Sequence, residues 1–175
     1  MTFLFLWLGL CLNVLNVTQL RSETLPVDEP VGIRFFSGSW QEALAEAKRQ
    51  NKPIFVDVNA SWCPPCRRMV REAFPDAKVG EKYNTRFINY QVDGEKGEGI
   101  EIVRSYAVGS YPTLLYIAPN GDLMQRSVGY GGISGLLIQA DMALAIPKMR
   151  RYLAKAAKAA KATADSLRRE ADQQR

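Results

Sequence analysis

Residues 54–66 read IFVDVNASWCPPC. The first five form an apolar run interrupted by one acid, Asp57. A run of that kind suits a central strand buried on both faces. The last four place Cys63 and Cys66 three residues apart, with two prolines between them. Pro65 suits the first turn of a helix, where a missing N–H costs little. A helix over residues 65–73 therefore follows the strand, and the cysteines fall at the junction. There the first thiolate is stabilised by unpaired backbone N–H groups and the helix dipole. The second cysteine lies one turn on, within reach of a mixed disulfide made by the first. This context reads as a redox dithiol. Half of a zinc site shared between two chains and a structural disulfide are the other readings.

Upstream, Ser39-Trp40-Gln41-Glu42 fits a capping box. It opens a helix with Trp40, Ala43, Leu44 and Ala47 on its apolar side. Asn51 ends that helix and Pro53 prevents its continuation. Residues 33–36, IRFF, are a strand candidate. Downstream, a short helix is expected over 76–83, a strand over 86–92, a solvated loop over 94–99 and a helix over 100–106. A strand over 113–118 turns at Asn120-Gly121 into a returning strand over 123–128. An apolar helix covers 133–146. The order is β-α-β-α-β-α-β-β-α, with no internal repeat. Helices between strands imply crossovers, so an α/β fold is expected: a central mixed sheet flanked by helices, with an antiparallel hairpin at one side.

The chain has 175 residues, 47% hydrophobic and 23% charged, which is material for one domain with its own core. It contains no histidine, so Ser-His-Asp catalysis, Cys-His catalysis and His-ligated metal sites are excluded. Its three cysteines, Cys11, Cys63 and Cys66, are too few for an all-cysteine zinc site within one chain. Net charge is +5, but residues 147–175 carry nine Lys/Arg against three acids and the rest of the chain is −1. The basic character belongs to a tail, so nucleic-acid binding by the body is not indicated.

The stretch 54–66, together with Ser110-Tyr111-Pro112-Thr113 and the Asn120-Gly121 hairpin, resembles the thioredoxin superfamily. With EALAEAK and NKPIFVD ahead of the motif, it looks most like the exported thioredoxin-like proteins of bacteria. The resemblance covers residues 36–146. It implies a thioredoxin-like fold and thiol–disulfide exchange on protein disulfides, with no metal or organic cofactor. Cys63 would be the attacking nucleophile and Cys66 the resolving thiol, the two forming the redox disulfide. Trp62 would flank the dithiol and shape the substrate surface. Pro112 would be a cis-proline facing the disulfide, with Tyr111 before it offering backbone to a substrate segment; an ordinary trans proline opening a strand is the alternative.

Asp57 matches the family's buried carboxylate beneath the second cysteine. Burial raises a carboxyl's pKa, so it would accept the Cys66 proton during resolution, through a water. An acid paired with a lysine at a strand end is the other reading. The lysine that often partners this acid in the family is replaced at the aligned position by Asn89. The Pro-Pro between the cysteines departs from the Gly-Pro of cytosolic thioredoxins. Arg67 and Arg68 add positive potential near the thiolate or are simply solvated. Reduction is favoured over oxidation or isomerisation, and a separate redox protein would recharge the dithiol. The rival from another class is a non-catalytic, envelope-anchored binding module with a static disulfide.

Four segments are expected: residues 1–22 signal-like, 23–32 a linker, 33–146 the domain and 147–175 a basic helical tail. Residues 3–12 have the length of a signal-peptide core, although no Lys or Arg precedes them. Cleaved export, an uncleaved anchor and a buried segment are the readings, with Cys11 as an apolar residue or a lipid-attachment site. Export places the protein in the bacterial envelope, periplasmic or secreted. In the tail, Met149, Leu153, Ala156, Ala160, Ala164, Leu167 and Ala171 recur every three or four residues. That stripe is mostly alanine and too thin for a core. A solvated helix is expected, with contact to an anionic membrane, a partner or nucleic acid as alternatives.

Overall fold

The computed structural model describes residues 31–174. The signal-like segment 1–22, Cys11 and residues 23–30 of the linker lie outside the described residues. The elements run α1 (Trp40–Gln50), β1 (Ile54–Asn59), α2 (Pro64–Glu72), α3 (Ala77–Arg86), β2 (Ile88–Asp93), α4 (Gly99–Ser105), β3 (Thr113–Ile117), β4 (Leu123–Val128), α5 (Gly132–Ala145) and α6 (Pro147–Gln173). The sheet order is β2-β1-β3-β4. β1 and β2 are parallel, whereas β3 runs antiparallel to both β1 and β4. The sheet is thus mixed and flanked by helices, as the order of elements implied.

Local chemistry sets the boundaries. Ser39 caps α1 reciprocally with Glu42: Ser39 Oγ accepts from the Glu42 N–H at 3.3 Å, and Glu42 Oε2 accepts from the Ser39 N–H at 2.7 Å. Asn51 ends the helix in a left-handed conformation, φ 51°. Alternation along β1 sends Ile54, Val56 and Val58 to a core formed with Ala43 and Ala47 of α1 and Ile102 of α4. Phe55 faces the other way, into a core with Met69 of α2, Tyr83 of α3, and Leu136 and Ala140 of α5. Asp57 shares the face of Phe55. In that second core Tyr83 Oη donates to the Leu136 carbonyl at 2.9 Å, so the Tyr116 hydroxyl donates to Tyr83 at 2.7 Å.

Two expectations are corrected. Residues 33–36 form no strand. They lie along the outer edge of β2, where the Phe36 N–H donates to the Asn89 carbonyl at 2.7 Å. The Arg34 backbone is instead met by side chains: its N–H donates to Asn84 Oδ1 and its carbonyl accepts from Asn89 Nδ2. Side-chain partners have taken the place of a ladder. Nor is the tail wholly solvated. Met149 is fully buried, Leu153 is half-buried with its carbonyl accepting from Asn51 Nδ2 at 2.9 Å, and Lys148 pairs with Asp122 at 3.0 Å. The alanine stripe is thin only beyond these first two turns, and from Ala157 onward every described residue is exposed.

Candidate active site

Cys63 is the N-cap of α2, with extended backbone dihedrals that aim its side chain at the first helical turn. Its Sγ accepts from the Cys66 N–H at 3.2 Å. Pro64 and Pro65 occupy the opening positions, where no N–H is needed, so the prolines stiffen the turn at no loss of hydrogen bonding. The two sulfurs are bonded at 2.05 Å, with Cα atoms 5.3 Å apart. Both cysteines are buried, at 1% and 3% exposure, in a small cluster with Ala60 and Tyr111. Beside Cys66 opens a cavity of about 310 Å³, walled by Asn59, Ala60, Arg67 and Val70 among others.

Trp62 is 61% exposed. It packs edge-on against Tyr111 with ring centroids 6.1 Å apart, and its indole N–H donates to the Glu95 carboxylate at 3.0 and 3.2 Å. The Tyr111–Pro112 peptide bond is cis, and Pro112 is buried immediately before β3. β3 is hydrogen-bonded to β1, which leads into the dithiol, so the two motifs meet although 46 positions separate Cys66 from Pro112.

Asp57 is wholly buried, and burial pushes its carboxyl up to about 6. Two amides pull the other way: Gln91 Nε2 donates to Oδ2 at 2.9 Å and Asn59 Nδ2 at 3.1 Å. The reading of Asp57 as one half of a lysine pair is corrected, since its partners are neutral. Asn89 is not one of them; its amide is spent on Arg34 and Asn84. Gln91 stands opposite Asp57 in the parallel register and was missed, because side-chain alignment to a relative does not reveal which neighbour reaches across.

The 95–99 loop is more than a solvated connection, which is a further correction. Glu95 holds Trp62, and Glu98 accepts from the Trp40 N–H at 2.9 Å and from the Tyr90 hydroxyl. Arg67 and Arg68 are exposed; Arg67 donates to the Ser61 carbonyl and Arg68 pairs with Glu72.

The thioredoxin-like domain family matches residues 40–135. The chain belongs to that family. It is a family of thiol–disulfide oxidoreductases, and the Cys63–Cys66 spacing matches its redox motif. Thioredoxin H4 of Arabidopsis thaliana is 33% identical over 90 residues, 51% of this chain and 71% of that one. The thiol:disulfide interchange protein DsbD of Pseudomonas fluorescens is 30% identical over 82 residues, 46% of this chain but 14% of that protein. Three mammalian relatives are likewise matched over 11% of their length. Among solved structures, a candidate disulphide-isomerase from Bacteroides thetaiotaomicron superposes with TM-score 0.60 and 38% identity, over 67% of this chain and 97% of that one.

Proposed function

We propose that this thioredoxin-like protein is a protein-disulfide reductase. The observation that carries the reading is the Cys63–Cys66 pair at the N-terminus of α2, flanked by exposed Trp62 and by Tyr111. In the reduced protein the Cys63 thiolate attacks one sulfur of a substrate disulfide. A mixed disulfide forms and the other substrate sulfur leaves as thiolate. Cys66 gives its proton to the Asp57 carboxylate and attacks Cys63 Sγ. The Cys63–Cys66 disulfide forms and the second substrate sulfur leaves. Two electrons have passed to the substrate, and a separate dithiol protein must return them. Trp62 and Tyr111 supply the surface on which an extended substrate segment rests. The apolar residues 3–12 support export to a bacterial envelope compartment.

The test is reduction of a protein disulfide such as insulin by the chemically reduced chain. Cys63→Ser should abolish it, and Cys66→Ser should leave a nucleophile that accumulates mixed disulfides. Equal inertness of both variants would contradict the roles. Burial of both sulfurs favours a second reading, a static disulfide in a binding module. Equilibration against glutathione separates the two, because a potential well below about −300 mV would mark a structural bond.

A further inference from the structure

We propose that Asn59 and Gln91 are positioning residues for Asp57: their amides hold one carboxylate oxygen from two directions and leave the other bare to take a proton. Only the kinetic consequence rests on the reading of Asp57 as the acceptor for Cys66.

The argument is one of geometry. Asp57 has 0% exposure, and both donors converge on Oδ2, at 2.9 and 3.1 Å. Oδ1 is buried and has no hydrogen-bond partner among the described residues. An ionised carboxylate offers about four acceptor sites, so this one is served on a single side. A proton on Oδ1 removes the buried charge that this bare side leaves unserved. Because a carboxylate only accepts, each amide must present its NH2 group, which fixes the rotamer of both side chains. The two donors also differ in where they lead. Gln91 is exposed, on a strand at the edge of the sheet, whereas Asn59 also walls the cavity that Cys66 shares. Asn59 therefore joins the carboxylate to the space beside the resolving sulfur.

Among the described residues, the surroundings supply no competing cation. On this face β2 presents Asn89, Gln91 and Asp93, of which Asp93 is paired with Lys96 at 2.9 Å. β3 presents Leu114 and Tyr116, whose hydroxyl is held by Tyr83. α2 contributes Met69 to the core on this face and holds Cys66 in the neighbouring cluster with Ala60, while its charged groups Arg67, Arg68 and Arg71 are exposed. Two neutral amides thus orient the acid without neutralising it. Burial is left to keep its proton affinity high, consistent with a carboxyl that titrates at about 6.

The experiment follows the Asp57 carboxyl carbon by NMR in the full chain, from about pH 2 to pH 9, bracketing its ordinary and raised values. Gln91→Leu removes one donor to the charged form and should move the midpoint up by about one unit. Gln91→Lys should move it down and Gln91→Glu up, opposite signs that a merely structural role would not produce. Since Gln91 is exposed, these variants leave the cores intact; Asn59→Leu, also predicted to raise the midpoint, is the second site. Midpoints unchanged from the parent, or moved in one direction by all three Gln91 variants, would overturn the proposal. The pH profile of mixed-disulfide resolution is measured alongside. If the NMR midpoints move as stated but the rate profile does not, the amide pair stands and Asp57 leaves the reaction.

Discussion

The Trp62 indole is hydrogen-bonded to Glu95, 33 positions along the chain, with Nε1 3.0 Å from the nearer carboxylate oxygen. Glu95 is itself set by its backbone, whose N–H donates to Asp93 Oδ1 at 3.0 Å. The β2–α4 loop therefore governs the orientation of a large aromatic side chain exposed next to the dithiol. Glu95→Ala should raise KM for a protein disulfide about two- to tenfold, the value of one hydrogen bond, and leave reduction of a small aromatic disulfide unchanged. Glu95→Gln retains an acceptor and should behave like the parent. Equal losses on both substrates would show that the contact does not shape the protein-binding surface.

A second contact on the same rim involves Gly94. A Cβ at this position would stand 2.7 Å from the Tyr111 ring, closer than packed atoms approach. Gly94→Ala should push the Tyr111 ring away from Trp62 and from the cluster it forms with Cys63 and Cys66. Insulin reduction should drop severalfold with a modest loss of Tm, and the Trp62 fluorescence should change. An alanine variant with parental fluorescence and rate would mean the loop shifts freely.

Asp57 links activity to stability. Its carboxyl is raised by burial from 3.8 to about 6, so the folded state binds the proton more tightly than the unfolded chain does. Stability then falls as pH rises from about 4 through 6, by about 3 kcal/mol in all, and the loss persists at neutral pH. Asp57→Asn removes that penalty. Denaturant titrations should show the variant gaining on the parent between pH 4 and 7, with no gain below pH 4. The same substitution should slow turnover more at neutral than at high pH, where hydroxide deprotonates Cys66 unaided. A stability difference independent of pH would refute the assignment.

The start of α6 is part of the core, and its remainder is not. Met149 is fully buried, so Met149→Ala should cost about 2–5 kcal/mol and lower Tm by several degrees. Truncation after Ala157 removes residues that are exposed wherever they are described and should leave Tm and insulin reduction unchanged. Truncation after Pro147 should resemble Met149→Ala or be worse. Thermal melts of the three variants decide the point; equal Tm values for both truncations would place Met149 outside the cooperative unit.

Local patterns by themselves determined where most elements of this protein lie. The apolar run before Cys63, the capping box at Ser39, the left-handed Asn51 and the Asn120-Gly121 turn act over a few residues, so a one-dimensional reading contains their physics. The position of the dithiol between a strand and a helix was legible for the same reason. What met the dithiol from elsewhere was decided by tertiary structure. Gln91 faces Asp57 through the register of two parallel strands joined by α2 and α3, and no local signal carries that register. Glu95 reached Trp62 through a loop whose polarity suggested solvent. Residues 33–36 have strand composition but lost their ladder to the side chains of Asn84 and Asn89. The alanine stripe of α6 looked too thin for a core because it takes the body to bury Met149, and only packing reveals which turn of a uniform helix finds a partner.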